Sequence, residues 1–426
     1  MEPLIVKVVT LGCKVNQCES ASIVATLKSN DIDASEGLDP ADVYILNTCS
    51  VTAEADKKSR QYLTKMRKLN PSCHIIVVGC SSQNTPIKFD QSNVCAVGGT
   101  SNKSEFALNA AKSIINNNDY SILSDRILYQ KSENLTEYCY ESYPQSCRTR
   151  RFVKIQDGCN RFCSYCIIPY LRGRSRSRSI NDILTECENN DSDEIVLTGI
   201  DISSYGNDIG VSLSDLLTAL GKVRARKRIG SLECEAITDD VLAAMSSGGF
   251  CPHFHLSLQS GSDDVLKSMN RHYDRAYYYD KIKLIRQIFP LAGITTDVIV
   301  GYPTETNEFF DESCEFIKKC EFSDIHVFPY SSREGTLAHK KYKTLPPETV
   351  KSRVARLLEI KHELHARFIS ENLNSIAAVY VEDRENGYNV GYTPNYIKVY
   401  SNAPCGKIHN IKLVKPFMDG IYGEPI

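Results

Sequence analysis

The segment 157–173, Asp-Gly-Cys-Asn-Arg-Phe-Cys-Ser-Tyr-Cys-Ile-Ile-Pro-Tyr-Leu-Arg-Gly, constrains this chain more than any other. Cys159, Cys163 and Cys166 stand in a C-x3-C-x2-C spacing directly after an apolar run, Phe152 to Ile155. Three thiolates on one loop can grip a single metal centre. A tetrahedral zinc site or an iron–sulfur cluster held wholly by cysteine asks for a fourth ligand, and none follows at local spacing. A cluster bound here keeps one iron open to a small molecule, which points the loop toward catalysis rather than structure.

A second set of cysteines sits elsewhere. The runs 4–9 (LIVKVV), 42–46 (DVYIL) and 74–79 (HIIVVG) read as strands, with helical spacing between them: Ile23, Val24 and Leu27 on one face, then Leu63, Met66 and Leu69. Alternating strands and helices mean a parallel sheet, whose binding sites gather beyond the carboxyl ends of the strands. Cys13, Cys49 and Cys80 each follow one of these strands, so one rim of one sheet receives three thiols, again one ligand short. Cys18 is a further thiol, expected to face inward from the first helix. The remaining scattered cysteines read as small buried hydrophobes.

The seventeen cysteines are spread over all 426 residues, unlike the compact framework of a secreted disulfide scaffold. The start, MEPLIVKVVTLGC, has neither a basic region nor a small-residue cleavage site, and no run approaches the ~18 apolar residues of a membrane span. A cytoplasmic protein without membrane contact is expected, and nothing demands more than a monomer. The net charge of −2 conceals basic runs at 148–151 (RTRR), 172–178 (RGRSRSR) and 222–228 (KVRARKR). Two of them flank the cysteine loop, so Arg172, Arg174, Arg176 and Arg178 are candidate contacts to the phosphates of a polyanion.

Four regions follow from the pattern: an α/β region over 1–118, a polar linker over 119–147, a central region over 148–374 and a small all-β region over 375–426. The central region shows strand patterns at 152–156, 194–199, 229–233, 253–258, 294–300 and 322–328, with helices between, which predicts a partial barrel of six β/α units. The polar residues Thr198, Glu233, Gln259 and Asp297 lie at strand ends, where such barrels place function. A long helix over about 348–372 carries Val354, Leu357, Leu358 and Ile360 on its apolar side. In the last region Tyr388, Tyr392, Tyr396 and Tyr400 are candidate stacking surfaces for unpaired bases.

LGCKVNQCES (11–20), NTCSVT (47–52), VGC (78–80), IQDGCNRFCSYCIIPYLRGRSRSRS (155–179), LTGIDISSYG (196–205), HLSLQSGSDDVLKSMNRHY (255–273), TTDVIVGYPTET (295–306) and HVFPYSSREGT (326–336) follow one another in an order that resembles the radical S-adenosylmethionine (SAM) methylthiotransferases over essentially the whole chain. GYTPNYIKV (391–399) looks like their TRAM domain, an RNA-binding β-barrel. The resemblance implies a Rossmann-like N-terminal domain, a (β/α)6 radical SAM barrel and a terminal TRAM barrel. It also implies two 4Fe-4S clusters, with Cys159, Cys163 and Cys166 holding the one that binds SAM and Cys13, Cys49 and Cys80 holding an auxiliary one. SAM cleavage would then yield a 5′-deoxyadenosyl radical able to remove hydrogen from adenine C2, and Thr198, Gly199, Glu233, Gln259 and Asp297 would lie near SAM or substrate.

Lys-Val-Asn-Gln after Cys13, Ser-Met-Asn-Arg at 268–271 and Gly-Tyr-Thr-Pro-Asn-Tyr at 391–396 look most like the branch acting on N6-threonylcarbamoyladenosine next to the tRNA anticodon. Relatives acting on isopentenyladenosine or on a ribosomal protein aspartate are the alternatives. A metal-stabilised RNA-binding protein without catalysis is the alternative from another class.

Overall fold

The computed structural model of the chain describes residues 4–89, 93–117, 127–128, 135, 137–138, 150–189 and 192–426. The stretch read as a linker, 119–147, falls almost wholly outside these. The N-terminal part is a parallel sheet of β1 (Val6–Thr10), β2 (Ala34–Glu36), β3 (Val43–Thr48), β4 (His74–Gly79), β5 (Val94–Gly98) and β6 (Ile127–Leu128), in the order β2-β1-β3-β4-β5-β6. Both faces of β3 are buried, as expected for a parallel strand with helices on either side. On one face α1 (Lys14–Lys28) contributes Ile23 and Leu27, while α2 (Ala53–Leu69) packs Leu63 and Met66 on the other. Leu69, expected beside them, is 40% exposed because it is the last residue of α2 and the chain turns away at Asn70. Next come the short α3 (Cys80–Asn84) and α4 (Lys103–Asn117), whose Ala107, Ala110 and Ala111 permit close approach to the sheet beside α1.

The central part begins with β7 (Arg150–Lys154), followed by an antiparallel pair, β8 (Gln156–Asp157) and β9 (Arg176–Ser177), that brackets the cysteine loop. Five further strands complete the wall: β10 (Glu194–Thr198), β11 (Arg226–Ile229), β12 (His253–His255), β13 (Gly293–Val300) and β14 (Asp324–Pro329). They form two parallel three-stranded sheets, β11-β10-β7 and β12-β13-β14. Parallel bridges at Lys227–Phe250 and Leu232–Leu256 join the two into one curved wall. Helices α5 (Ile168–Arg172), α6 (Ile180–Glu188), α7 (Leu213–Leu220), α8 (Asp239–Ser247), α9 (Asp263–Ser268), α10 (Arg275–Ile288), α11 (Asn307–Cys320) and α12 (Leu337–Lys341) connect the strands or follow them.

The strand expected at 229–233 lies earlier, at Arg226–Ile229, inside a run that reads as surface charge. Glu194 on β10 explains the difference. Its fully buried carboxylate pairs with Arg150, Arg226 and Arg228, so a basic strand can enter the interior. The outer nitrogens of Arg226 and Arg228 then donate to carbonyls of the C-terminal region, at Ala378 (2.9 Å), Thr393 (2.7 Å) and Pro394 (2.7 Å).

A long helix, α13 (Pro347–Asn372), leads to that region. Leu357, Ile360, Leu364 and Phe368 form its buried stripe, whereas Leu358 faces outward. Then β15 (Ile376–Glu385), β16 (Tyr388–Tyr392), β17 (Lys398–Ser401), β18 (Lys407–Phe417) and β19 (Gly420–Pro425) close a barrel in the order β15-β16-β17-β19-β18. The four tyrosines do not form an outward stacking face. Tyr400 is buried and, with Tyr388, packs on Phe417. Tyr392 and Tyr396 stack on each other at 4.8 Å, and Tyr396 stacks on His253 of the central wall at 4.5 Å. They serve packing between the two regions. Among the described residues no helix is long and apolar enough to cross a membrane.

Burial alone would raise the Glu194 pKa, but Arg228, Arg226 and Arg150 overcome it and hold the carboxyl below the usual range. Its stabilisation is therefore complete above the unfolded glutamate pKa of about 4.3 and is lost as pH falls through the lower native value. Replacing Glu194 with Ala should cost about 3–5 kcal/mol in chemical denaturation at neutral pH, because it removes the carboxylate shared by three buried guanidinium groups. The deficit should stay flat between about pH 6 and 8 and shrink only in acid.

Candidate metal centre

Cys13, Cys49 and Cys80 follow β1, β3 and β4, and the parallel register brings those strand ends level, with Thr10 beside Asn47 and Thr48 beside Gly79. Polar side chains hold the three turns together. Asn16 Nδ2 donates to the carbonyls of Leu11 (2.7 Å) and Thr48 (2.9 Å), and Thr48 Oγ1 donates to Val78 O (2.8 Å) while accepting from Ser81 N (3.2 Å). Gly12 and Gly79 both have positive φ, and a Cβ on Gly12 would meet Cys49 Sγ at 2.6 Å. The three thiols lie within electrostatic range of one another, and burial pushes Cys49 up to about 11. Cys18 is buried on α1, its thiol against Phe152 O at 3.4 Å.

The second triad lies on the 158–167 loop, past the end of β7. Gly158 opens the loop at φ +70, where a Cβ would stand 1.9 Å from Arg174 O. Gln156 bridges its surroundings: Nε2 donates to Asp157 O (2.9 Å), Gly158 O (2.8 Å) and Ser175 Oγ (2.9 Å), while Oε1 accepts from Ile200 N (3.0 Å) and Asp201 N (2.8 Å). The Ser268–Arg271 segment clamps the opposite side. Ser164 N donates to Met269 O (2.9 Å), Asn270 Nδ2 to Phe162 O (3.1 Å), and Arg271 Nη1 to Cys163 Sγ (3.5 Å). Burial raises the Cys159 thiol, helped by Asp201, and pushes Cys166 up to about 12. Buried thiols of this kind ionise readily only when a cation takes up their charge.

Between the triads lies α5. Ile167 and Leu171 pack on Cys80, and Arg172, 1% exposed, reaches across the boundary. Its Nε donates to Cys80 Sγ (3.3 Å), Nη1 to Glu19 Oε1 (2.9 Å) and Asp157 Oδ1 (3.0 Å), and Nη2 to Asn16 Oδ1 (2.8 Å) and Glu19 Oε2 (3.1 Å). Glu19 also holds Lys103 (2.6 Å) and Lys154 (2.8 Å), and Asp157 holds Lys154 (2.8 Å) and Arg176 (3.2 Å). Four cations thus share two buried carboxylates beside the thiols. The excess of positive charge suits a centre carrying thiolates.

These contacts correct the phosphate-collar expectation. Arg172 and Arg176 are buried in this network, and Arg178 is buried against Glu186. Only Arg174 of the four is exposed, its guanidinium 4.9 Å from the Phe162 ring centroid. Carboxylates claim the other three: Glu19 and Asp157 for Arg172, Asp157 for Arg176 and Glu186 for Arg178. Arg150 and Arg151 of the 148–151 run are likewise paired, with Glu194 and Glu186.

The strand-end residues surround the loop in different ways. Thr198 is buried, its carbonyl accepting from Ile155 N at 2.9 Å, and Gly199 lies against Gln156. Glu233 pairs with Arg271, the guanidinium that reaches Cys163. Gln259 adopts φ +67 and continues the wall by bridging to β13. Asp297 points into a cavity of about 520 Å³ inside the curved wall, where its Oδ1 lies 3.3 Å from His255 Nε2. Sequence reading passed over Gln156, Glu19 and Arg271. The adjacency of Gln156 to the cysteine loop was a usable signal, whereas the other two act across long sequence separations.

The fit to a metal group can be tested on donor spacing. A single ion needs compact donors, and among the described residues only His255, Asp297 and His326 have three ligand-type atoms within 4.8 Å of one another. Neither cysteine triad is that compact. Three cysteines set wider apart, with cations close by, suit a multi-iron cluster.

Comparison with known proteins agrees. Residues 5–98 match Uncharacterized protein family UPF0004, and residues 153–317 match the Radical SAM superfamily. The threonylcarbamoyladenosine tRNA methylthiotransferase MtaB of Bacillus subtilis (strain 168) is 35% identical, across 96% of this chain and 94% of its own. The enzyme of that name from Aquifex aeolicus (strain VF5) is 34% identical (92% and 95%). A tRNA-2-methylthio-N(6)-dimethylallyladenosine synthase of Endomicrobium trichonymphae is 31% identical (97% and 98%). The radical SAM methyltransferase TsrM of Kitasatospora setae superposes with a TM-score of 0.54 at 12% identity, over 77% of this chain and 75% of its own, a likeness of fold. The wall and its cysteine loop thus define a radical SAM enzyme. With the N-terminal domain added, the chain belongs to the radical SAM methylthiotransferase family, whose members use SAM and 4Fe-4S clusters.

Two substitutions probe this architecture. Gly158→Ala should lower iron bound per chain and the melting temperature together, since φ +70 and the 1.9 Å approach leave no room for a methyl group. Glu19→Ala should cost about 3–5 kcal/mol by stranding buried cations, read as earlier exposure of β1 and α1 in hydrogen exchange.

Proposed function

We propose that this chain is a tRNA methylthiotransferase that converts N6-threonylcarbamoyladenosine at position 37, beside the anticodon, into its 2-methylthio derivative. The observation that carries the reading is the pairing of two three-cysteine rims across α5, in a chain whose full-length relatives include enzymes named for that nucleoside. In this reading Cys159, Cys163 and Cys166 hold the cluster that binds SAM, and Cys13, Cys49 and Cys80 hold the auxiliary cluster. When bound, the clusters and SAM supply the one-electron chemistry, the sulfur and the methyl group.

The protein's own residues position and exclude. Gln156 and the Ser268–Arg271 clamp fix the loop, and Glu233 keeps Arg271 aimed at Cys163. Thr198, Gly199, Glu233 and Gln259 line the side from which SAM approaches, while Asp297 faces the substrate cavity. Arg174 is left as the contact to RNA phosphate within the 172–178 run. The enzyme works as a monomer on the anticodon stem-loop.

The decisive measurement is mass spectrometry of tRNA nucleosides from cells lacking the protein. Loss of 2-methylthio-N6-threonylcarbamoyladenosine supports the reading, and an unchanged level refutes it. In purified protein, Cys163→Ala should abolish reductive SAM cleavage, while Cys49→Ala should spare cleavage and stop sulfur insertion. Arg174→Ala should weaken tRNA binding and lower the slope of log affinity against log salt by about one, through one fewer counterion released.

A further inference from the structure

Relatives named for two different nucleosides match this chain almost equally, at 35% and 31% identity. What differs between those nucleosides is the N6 substituent: threonylcarbamoyl ends in a carboxylate, and dimethylallyl is a hydrocarbon. The cavity inside the central wall is lined by charged groups of both signs.

Three basic side chains line that cavity: Lys14, Arg150 and Arg228. Arg150 and Arg228 are committed to Glu194, and Arg150 also to Glu382. Lys14 is different. It is the first residue of α1, next to Cys13, and it is exposed. Its Nζ lies 5.9 Å from the Phe152 ring centroid, and among the described residues no carboxylate is within ion-pair distance. Its charge reaches the cavity, adding to burial in depressing the His253 pKa. Nearby, His255 is held by Thr295 Oγ1 on Nδ1 (2.9 Å) and by Asp297 Oδ1 on Nε2 (3.3 Å). Burial likewise lowers the His326 pKa, and Lys14 offers an incoming anion an ammonium group with no carboxylate partner among the described residues.

We propose that Lys14 reads the terminal carboxylate of the N6 substituent, so that the substrate class is an adenosine bearing an amino-acid-derived acid rather than a hydrocarbon. This rests on the functional reading above. A carboxylate replaces the water around Lys14 with a charge-assisted hydrogen bond, while Asp297 is placed to accept from a ureido N–H or a hydroxyl of the same substituent. A hydrocarbon in that place strips water from the ammonium group and returns nothing, so the device both favours one nucleoside and rejects the other.

The test uses the anaerobically reconstituted full chain and three anticodon stem-loop RNAs, carrying at position 37 the threonylcarbamoyl acid, its methyl ester or dimethylallyladenosine. Wild type should bind the acid roughly 10- to 100-fold more tightly than the ester, the range expected for one hydrogen bond between charged groups. Lys14→Met should bring the ratio near one, and Lys14→Arg should restore most of it, with iron per chain measured in each. Equal binding of acid and ester by wild type overturns the proposal, and that arm does not depend on any variant loading its clusters. A Lys14→Met protein that keeps both its iron and the wild-type ratio also overturns it. If wild type methylthiolates the dimethylallyl RNA and ignores the threonylcarbamoyl RNA, the functional reading itself fails. If it modifies the threonylcarbamoyl RNA without distinguishing acid from ester, only the role of Lys14 fails.

Discussion

One buried guanidinium sets the relation between the two halves of this site. Arg172 leaves the end of α5, crosses into the N-terminal domain and meets Glu19 with two nitrogens while touching Cys80 with a third. Taking ions out of water is costly, and the arrangement is stable only because nearly every donor finds an acceptor and the carboxylates each serve several cations. Removing any member leaves charge stranded, so the network acts as a unit. A second tie lies farther along the same rim, where the buried Arg333 pairs with Asp56 and donates to Ser50 Oγ at 2.8 Å, next to Cys49. The N-terminal domain is thus fastened to the central wall on both sides of its cysteine rim.

The architecture was largely legible because its signals are local. Apolar strands, helical spacing and cysteines just past strand ends are properties of short windows, and β3, β4, β10 and β13 lie close to where those windows put them. What was not legible depends on partners far apart in the chain. Nothing near Arg226 announces that Glu194 will take its charge, so a buried strand reads as a solvated run. Likewise nothing near Arg172 or Arg176 announces Glu19 or a buried Asp157. Basic clusters look alike whether they face water or a hidden carboxylate, and only tertiary pairing separates the cases.

The tyrosines of the C-terminal barrel make the same point about aromatic groups. Tyr396 lies at 4.8 Å from Tyr392 and 4.5 Å from His253, and both tyrosines sit over Arg150. An aromatic face suited to a base is equally suited to an arginine or another ring. Here Tyr396 lines the central cavity, so the terminal barrel supplies part of its wall.

The brevity of α5 has a consequence beyond packing. Only five residues separate Cys166 from Arg172, and Arg172 ends on Cys80. A five-residue helix spans about 7.5 Å, and Leu171 and Arg172 pin its far end against the opposite rim. The segment is in effect a ruler laid between the two cysteine sets. Side chains around it can drift in composition without altering the gap, but one residue added or removed would rotate Arg172 by about 100° and reset the distance. The gap between the two cysteine sets is thus written in the length of a peptide.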